Sequence, residues 1–392
     1  MPDYKYLVIG GGMTADAAIG GIREIDSKGS IGVVGSEPDP PYNRPPLSKG
    51  LWKGEALETI WRGTAEKNAS LHLGRTAVSL DARQKRVQDD QGTTYGYEKL
   101  LLATGAAPRR LPFDDGSVIY YRTVADFRNL HALADRGHRF AVIGGGFIGW
   151  EMAAALAMNG KEVVMLFPEE AIGARLYPPD LARFLNDFYR QKGVNVLPGS
   201  TVVGMERSSR GTIVKTREQG EFVVDAVVAG IGVVPETALA APAGLQIENG
   251  IVVDEFLRTS SPDIFAAGDV ASFPDAVFGG RRRVEHEDNA NTMGRQAGLL
   301  MAGGSDPYRH LPFFYSDLFD LGYEAVGEID ARLEVIADWK EAWREGVLYY
   351  LRDGRVRGVL LWNVWGQVDA ARQLIAEPGP FDAARLQGRL PA

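Results

Sequence analysis

Two glycine-rich segments have the spacing that binds the pyrophosphate group of a dinucleotide. The pentapeptide Val-Ile-Gly-Gly-Gly occurs at residues 8–12 and again at residues 142–146, each time between an apolar run and an Ala-rich stretch. Glycine lets such a loop turn tightly and approach the phosphates, and the amides that open the following helix supply positive potential. The residues that match the motif are Gly10, Gly12 and Ala15 in the first segment and Gly144, Gly146 and Gly149 in the second.

An acidic residue follows each loop at the distance expected for a ribose contact, about twenty residues on. These residues are Glu37 and Glu169. A carboxylate there accepts hydrogen bonds from ribose hydroxyls and repels a 2'-phosphate, so Glu169 favours NADH over NADPH. Arg175 leaves two alternatives open, since an arginine there would accept a 2'-phosphate or stack on adenine. A tight turn without ligand remains the alternative for one loop alone, but the repeated pattern predicts one site for FAD and one for a nicotinamide nucleotide.

The sequence around the loops predicts two parallel βαβ units, because short apolar runs follow each loop as they do in strands that are covered on both faces. The last of these runs leads into Gly268-Asp269, followed by helical sequence. The predicted strands are residues 31–34, 100–103, 163–167, 227–234 and 264–267.

The pattern of residue types changes from about Pro312 onward. Alternating aromatic and apolar segments at 347–351 and 356–362, joined by an Asp353-Gly354 turn, predict an antiparallel sheet. An amphipathic helix is expected over 368–375. The four tryptophans of this region are expected to fill its core, with a partner surface as the alternative; they are Trp339, Trp343, Trp362 and Trp365.

Composition excludes several classes of function. A length of 392 residues suits two or three domains, and a formal charge of −8 gives no general attraction to nucleic acid or anionic lipid. The absence of cysteine excludes a disulfide, a thiolate metal site and a Cys-x-x-Cys redox pair. The sequence shows no metal-ligand spacing, no basic leader before the first strand and no apolar run of about 18 residues, so we expect a cytoplasmic protein without a metal site or a membrane span.

Further motifs lie between and beyond the two loops. Pro41-Tyr42-x-Arg44-Pro45-Pro46-Leu47-Ser48-Lys49, Ala103-Thr104-Gly105-x-x-Pro108-Arg109 and Ala267-Gly268-Asp269 resemble motifs of the ferredoxin reductase-like flavoproteins. Segments 166–169, 281–286, 322–325, 350–353 and 361–363 resemble more specifically the apoptosis-inducing factor branch of the FAD-dependent pyridine nucleotide oxidoreductases. The resemblance spans nearly the whole chain.

This resemblance implies a set of cofactor contacts. Tyr315 stands where the family usually has a tryptophan, and it would border the flavin and the nicotinamide together with His286, for which a packing role is the alternative. The implied FAD contacts are Gly10, Gly12, Glu37, Arg44, Lys49, Ala77, Arg122 and Asp269, and the matching motifs add Thr104, Gly105 and Gly268. The implied NADH contacts are Gly146, Glu169, Arg175 and Gly232, with Glu285 and Glu324 further along the pocket.

The resemblance also implies a glutathione reductase-like architecture, an α/β fold with two Rossmann-like domains and a small α+β C-terminal domain. The expected FAD domain comprises residues 1–109 and 235–309, the NAD domain residues 110–234, and the C-terminal interface domain residues 310–392. The implied activity is hydride transfer from NADH to flavin N5, then electron transfer to a small iron–sulfur protein such as a ferredoxin, or to a quinone-like molecule. The alternative is a redox-switched binding protein with slow NADH oxidation and NADH-dependent dimerisation. Reduction of disulfides or peroxides through a protein thiol is excluded by the missing cysteines.

Lys49 and Glu151 are the candidate catalytic residues. Related disulfide reductases place reactive cysteines in the helix next to the flavin where this chain has Lys49. We expect Lys49 to pair with Glu151 near flavin N5 and to stabilise negative charge on the reduced flavin. Two solvated surface charges are the alternative.

Overall fold

The computed structural model describes residues 2–391. Within these residues the strands and helices are as follows. The strands are β1 (Asp3–Ile9), β2 (Ile31–Gly35), β3 (Ser70–Leu73), β4 (Ala77–Asp81), β5 (Arg86–Asp89), β6 (Thr94–Leu102), β7 (Ala106–Pro108), β8 (Val118–Tyr120), β9 (Arg139–Ile143), β10 (Glu162–Phe167), β11 (Val194–Pro198), β12 (Val202–Ser208), β13 (Gly211–Thr216), β14 (Glu221–Val224), β15 (Ala226–Ala229), β16 (Val233–Pro235), β17 (Ile251–Val252), β18 (Ile264–Ala266), β19 (Ala271–Pro274), β20 (Arg281–Arg282), β21 (Phe313–Leu318), β22 (Leu321–Gly327), β23 (Glu334–Glu341), β24 (Glu345–Arg352) and β25 (Arg355–Trp362). The α-helices are α1 (Met13–Ile25), α2 (Val124–Ala134), α3 (Phe147–Met158), α4 (Pro179–Gln191), α5 (Glu287–Met301), α6 (Val368–Ala376) and α7 (Ala383–Leu386).

By packing, the chain separates into two compact units. The sequence predicts three domains, and the segments predicted as the second and third fall in one unit, so those domain boundaries stay a prediction. The first unit comprises Met1–Arg44, Leu57–Ala107 and Val234–Pro312, and the second comprises Pro45–Ala56, Pro108–Val233 and Phe313–Ala392.

The first unit is built on a mixed sheet with the order β3-β2-β1-β6-β5-β4, and β18 also pairs with β6. Strands β3, β2, β1, β6 and β18 are parallel, whereas β4 and β5 form an antiparallel edge. Helix α5 packs closely on α1 because Gly294 and Gly298 lie one helical turn apart: a Cβ atom at Gly298 would lie 2.0 Å from the backbone oxygen of Ala18.

The second unit contains a parallel sheet with the order β11-β10-β9-β15-β8 and a three-stranded antiparallel sheet of β12, β13 and β14. Its C-terminal segment forms a five-stranded antiparallel sheet with the order β21-β22-β25-β24-β23. The β24–β25 hairpin turns at Asp353 and Gly354, both at positive φ (51° and 69°), as a two-residue hairpin loop requires. The predicted fold, with two Rossmann-like sheets and a small C-terminal domain, is confirmed.

Three local predictions are wrong. Residues 227–234 do not form one strand, because β15 ends at Ala229 and β16 begins at Val233. The sequence after Gly268 is not helical beyond a short 3₁₀ turn at Gly268–Val270, which is followed by β19. Of the tryptophans expected in the core, Trp362 is fully buried, but Trp343 and Trp365 are 39% and 53% exposed.

Candidate cofactor sites and the Lys49 cluster

The first glycine loop joins β1 to α1 with a backbone that only glycine accommodates easily. Gly10 has φ 118°, and a Cβ atom there would lie 2.1 Å from the backbone oxygen of Ala103. Gly12 is the N-cap of α1, and no side chain among residues 2–391 caps the helix there. Apart from Gly12 and its two chain neighbours, no residue of the described chain has an atom within 4 Å of a Cβ placed at Gly12, so the outer side of the loop is open to a phosphate group.

The other residues predicted to bind FAD in the first unit follow the same edge of its sheet. Ile9 lies opposite Val34 and Leu102, and Leu102 lies opposite Ala266, so four parallel strands end side by side. In an open α/β sheet, ligands bind beyond the carboxyl ends of the strands. The predicted residues that follow these ends are Gly10, Gly12, Glu37, Thr104, Gly105, Gly268 and Asp269. Ala15 is buried in α1, and Ala77 opens the antiparallel strand β4.

Glu37 is oriented by two nearby side chains. The hydroxyl of Tyr42 donates to Glu37 Oε2 at 2.6 Å, and the guanidinium of Arg44 lies 3.6 Å from Glu37 Oε1. The Glu37 side chain is 29% exposed, which leaves it accessible to a ribose hydroxyl. The carboxylate therefore has both a fixed direction and an accessible edge.

His286 is the N-cap of α5 in the first unit and is uncharged at neutral pH. Burial of the imidazole lowers the pKa of His286 to about 4, while nearby Asp269 opposes this shift. A neutral imidazole keeps both a donor and an acceptor nitrogen. The neighbouring Glu285 pairs with Arg283 at 2.5 Å, and Arg283 also donates to the backbone oxygen of Asp269 at 3.1 Å.

The second glycine loop repeats the backbone of the first in the second unit. Gly144 has φ 118°, and a Cβ there would lie 2.3 Å from the backbone oxygen of Gly230. Gly146 is the N-cap of α3, again without a capping side chain among the described residues. A Cβ at Gly149 would lie 1.9 Å from the backbone oxygen of Gly144, so the third glycine allows close packing of helix on strand.

The second unit holds four other residues predicted for the nicotinamide site, at two of its sheets, whereas the predicted Glu285 lies in the first unit. Glu169 follows β10 and pairs at 2.7 Å with Arg175, whose side chain is 84% exposed. Gly232 follows β15 and accepts a hydrogen bond from the amide of Arg109 at 2.9 Å. Glu324 instead belongs to the C-terminal sheet, directly opposite Tyr315, and accepts from the amide of Gly366 at 3.0 Å.

Lys49 and Glu151 form a largely buried ion pair. Their Nζ and Oε1 atoms are 2.7 Å apart, and their side chains are 13% and 4% exposed, so the alternative of two solvated charges is wrong. Lys49 does not lie in a helix as predicted, but between two 3₁₀ turns at Pro45–Ser48 and Gly50–Lys53. Its ammonium group also lies 5.3 Å from the centre of the Tyr315 ring.

Three residues that the sequence analysis missed complete this cluster. Ser48 donates to Glu151 Oε2 at 2.5 Å, and Ser316 donates to Glu151 Oε1 at 2.6 Å. The indole nitrogen of Trp150 donates to the hydroxyl of Ser316 at 2.9 Å. Ser48 and Trp150 are chain neighbours of Lys49 and Glu151, which is the only signal in the sequence that would have found them.

The cluster lies next to buried side chains, among them Tyr189, which is fully buried. Burial, and after it the negative charge of Glu151, raises the pKa of Tyr189 well above its ordinary value. The hydroxyl of Tyr189 donates to the backbone oxygen of Trp150 at 3.2 Å. A charge pair in such an environment interacts more strongly than one in water.

Two absences concern the described residues alone. No helix within residues 2–391 is both long and apolar enough to cross a bilayer. The same residues contain no group of three or more His, Asp or Glu side chains arranged to hold a metal ion.

Both loops fit the pyrophosphate of a dinucleotide, since each combines an open helix N-terminus, a glycine that clears a backbone oxygen and an acid beyond the next strand. The chain thus has the form of a two-nucleotide flavoprotein. Residues 4–294 match the family model for pyridine nucleotide-disulphide oxidoreductases, and residues 297–342 and 337–377 match the model for the mitochondrion-associated C-terminal region of apoptosis-inducing factor. The chain therefore belongs to the pyridine nucleotide-disulphide oxidoreductase family.

Known relatives fall in the predicted branch. The chain is 35% identical over 416 residues to apoptosis-inducing factor 1, mitochondrial, of Dictyostelium discoideum, covering 95% of this chain and 78% of that protein. It is 33% identical over 400 residues to the 5,5'-dehydrodivanillate O-demethylase ferredoxin reductase subunit of Sphingobium sp., covering 98% and 96%. A solved structure of putidaredoxin reductase in covalent complex with putidaredoxin matches with a TM-score of 0.91 and 29% identity, over 98% of this chain and 95% of that one.

These comparisons confirm the predicted family branch and establish the chain as an oxidoreductase. Family membership implies FAD and a nicotinamide nucleotide as cofactors. The disulphide in the family's name has no counterpart in this chain, which contains no cysteine.

Proposed function

We propose that this protein is an NADH-dependent FAD oxidoreductase that delivers electrons to a small iron–sulfur protein of the ferredoxin class. The observation that carries the proposal is the presence of two matched nucleotide loops in a chain without cysteine. Electrons taken from the nicotinamide have no protein thiol to reduce, so they must go to an external acceptor. Relatives from Sphingobium sp. and Burkholderia cepacia are named as ferredoxin reductase components, which supports an iron–sulfur acceptor.

The residues of the first unit would hold FAD, which when bound takes up hydride from the reduced nicotinamide and passes electrons on. The amides around Gly12 would face its pyrophosphate, and Glu37, oriented by Tyr42, would accept a ribose hydroxyl. The flavin contacts predicted in the second unit remain predictions; they are those of Lys49, Arg122 and Tyr315.

Lys49 would supply positive charge near flavin N5. Hydride transfer needs no protein acid or base, so the contribution of Lys49 is electrostatic. Glu151 would hold the lysine in place, since the pair is largely buried. We expect Lys49→Ala to lower both the flavin midpoint potential and the rate of reduction by NADH, and unchanged values would remove this role from Lys49.

The proposed preference for NADH rests on Glu169. Its carboxylate follows β10, where a ribose 2'-hydroxyl would reach it and a 2'-phosphate would be repelled. Arg175 partly neutralises that charge, and the pair remains open to solvent on the arginine side. Anaerobic rapid mixing with each nucleotide, following the loss of flavin absorbance, tests the preference. Equal or faster reduction by NADPH would overturn it.

The acceptor is tested by reducing the protein with NADH and adding a ferredoxin, a quinone and monodehydroascorbate in separate assays. Turnover at tens per second or faster with the ferredoxin supports the proposal. Fast turnover with only the quinone, or with only monodehydroascorbate, would show that this molecule is the acceptor and that an iron–sulfur protein is not. A relative from Arabidopsis thaliana, 34% identical over 397 residues, is named monodehydroascorbate reductase 3 and motivates the third arm.

A second candidate function is a redox-switched binding protein. It is favoured by the match to the apoptosis-inducing factor C-terminal model and by the relative from Dictyostelium discoideum. In that case reduction by NADH would be slow, no acceptor would turn over quickly, and the oligomeric state would change on reduction. Analytical ultracentrifugation of the oxidised and NADH-reduced protein distinguishes this function from the enzyme.

A further inference from the structure

The carboxylate of Glu151 is satisfied by three donors from two separate segments of the chain. Lys49 and Ser48 come from the segment Pro45–Ala56 of the second unit, and Ser316 comes from strand β21 of its C-terminal sheet. Oε1 accepts from Lys49 and Ser316, and Oε2 accepts from Ser48. Ser316 is fully buried.

The direction of the Ser316 proton is fixed by Trp150. An indole nitrogen is a donor only, and it donates to the Ser316 oxygen at 2.9 Å. The hydroxyl has a single proton, which therefore points to Glu151 Oε1 at 2.6 Å. Trp150 and Ser316 are both fully buried, which holds this arrangement in one orientation.

Strand β21 contributes two consecutive side chains to the ion pair. The ring of Tyr315 lies 5.3 Å from the ammonium of Lys49, and Ser316 hydrogen-bonds to the carboxylate that Lys49 contacts. We propose that Ser316, with its proton directed by Trp150, is a positioning residue that fixes Glu151 and so sets the positive charge that Lys49 presents to the flavin. This inference rests on the proposed function, which places Lys49 near flavin N5.

Loss of the Ser316 hydroxyl has a defined expected effect. Among residues 2–391, the Glu151 oxygen that it contacts would keep Lys49 as its one remaining donor, so the carboxylate would draw the lysine charge more fully onto itself. The lysine charge would then stabilise the reduced flavin less than it does in the wild type. We expect Ser316→Ala to shift the equilibrium toward oxidised flavin by about tenfold, which for a two-electron couple is about 30 mV.

The experiment measures the midpoint potential of the FAD-loaded protein by anaerobic photoreduction with an indicator dye, and so does not depend on NADH. Ser316→Thr keeps a hydroxyl and should return the wild-type potential. Trp150→Phe keeps an aromatic ring but frees the Ser316 proton, and should shift the equilibrium in the same direction by about threefold. Ser200→Ala is the matched control, because Ser200 is 1% exposed and its hydroxyl has no partner within residues 2–391.

The double variant Lys49→Ala/Ser316→Ala tests whether Ser316 acts through the lysine. If it does, Ser316→Ala causes no further shift in the Lys49→Ala background, whereas equal shifts in both backgrounds would overturn the proposal. Wild-type potentials in Ser316→Ala, or an equal shift in Ser316→Thr, would also overturn it. If Ser316→Ala does not retain FAD, the Trp150→Phe variant takes its place, and an unchanged midpoint potential in that variant would also overturn the proposal. A wild-type protein that NADH fails to reduce would refute the proposed function alone, because these potentials are measured without NADH.

Discussion

The two glycine loops have nearly the same backbone and differ in how the following acid is held. Gly10 and Gly144 share a φ of 118°. The N-caps Gly12 and Gly146 have φ and ψ of −97° and −169° and of −100° and −172°. Each first glycine faces a backbone oxygen that a Cβ atom would strike. The backbone common to both loops is one that would allow close approach of a pyrophosphate.

The acids that follow the loops have different partners. Glu37 accepts a short hydrogen bond from Tyr42 and lies near Arg44, and all three side chains are at least partly buried. Glu169 pairs with Arg175, whose side chain is 84% exposed. An exposed ion pair is weak and easily exchanged. The difference suits a cofactor that stays bound at the first loop and a nucleotide that must leave the second loop in every turnover.

The largest expected effects come from alanine at the first glycine of each loop. The clash with a backbone oxygen and the positive φ together cost about 2–4 kcal/mol, which corresponds to a factor of about thirty to a thousand in affinity. We expect Gly10→Ala to purify without FAD, and Gly144→Ala to keep FAD but bind NADH at least about thirtyfold more weakly. The flavin absorbance of the purified protein and a titration with NADH measure both effects.

Gly92→Ala is the control for positive φ alone. Gly92 has φ 81°, but apart from Gly92 and its two chain neighbours no residue of the described chain has an atom within 4 Å of a Cβ placed there. This variant should lose about 1 kcal/mol of stability and keep both cofactors. Loss of FAD in Gly144→Ala would show that the two loops do not hold separate nucleotides.

The next effect is expected from removing the charge of each acid. A hydrogen bond to a charged group contributes about 1.5–3 kcal/mol, which is about ten- to a hundredfold. Glu169→Gln should raise the ratio of NADPH to NADH efficiency by that factor, because it removes the negative charge that strengthens the hydrogen bond from the ribose and repels the 2'-phosphate. Glu37→Gln should weaken FAD and leave that ratio unchanged. Steady-state kcat/KM values of both variants with NADH and with NADPH test these two expectations.

The loops were predictable because their chemistry depends on local spacing. Glycine at fixed intervals between an apolar strand and an Ala-rich helix is visible in the sequence, and so is the acid beyond the next strand. The break at residues 230–232 was not predicted, although a Cβ at Gly230 would lie 2.8 Å from the amide nitrogen of Gly149. That constraint joins residues far apart in the chain, so no local pattern reveals it.

The Lys49 cluster was only half predictable for the same reason. The pairing of Lys49 with Glu151 was expected from a family resemblance. No periodic pattern in the sequence of strand β21 singles out Ser316 as a residue that contacts Glu151. The segment around Lys49 reads as helical by analogy, but Pro45 and Pro46 precede it and the chain forms two short 3₁₀ turns instead. Side chains that fix an ion pair through tertiary contacts become visible only in the structure.

His286 gives the stability of the first unit a dependence on pH. Its folded pKa of about 4 lies below the ordinary value of 6.5. As pH falls through 6.5 toward 4, the unfolded chain binds a proton that the folded chain does not, so stability decreases with falling pH. Between pH 7 and pH 5 we expect the wild type to lose about 1–2 kcal/mol more than His286→Gln, measured by urea unfolding.

A matched substitution of the exposed His138 controls for removing an imidazole. If His286→Gln and the wild type lose stability in parallel between pH 7 and pH 5, the imidazole is not held neutral. The pH dependence of the first unit would then arise from its carboxylates.

The smallest effect, and the sharpest test of the second loop, is expected from Arg175→Ala. An exposed pair contributes about 0–1 kcal/mol, so KM for NADH should change by less than about fivefold. Without the arginine, the full charge of Glu169 would face a 2'-phosphate, so the preference for NADH should rise slightly. Arg332→Ala is the control, since Arg332 is 89% exposed and pairs with Asp330 in the same manner. A tenfold or greater loss of NADPH efficiency, with NADH efficiency unchanged, would instead show that Arg175 binds the 2'-phosphate. The second loop would then accept both nucleotides, because Arg175 would pair with Glu169 when NADH is bound and with the 2'-phosphate when NADPH is bound.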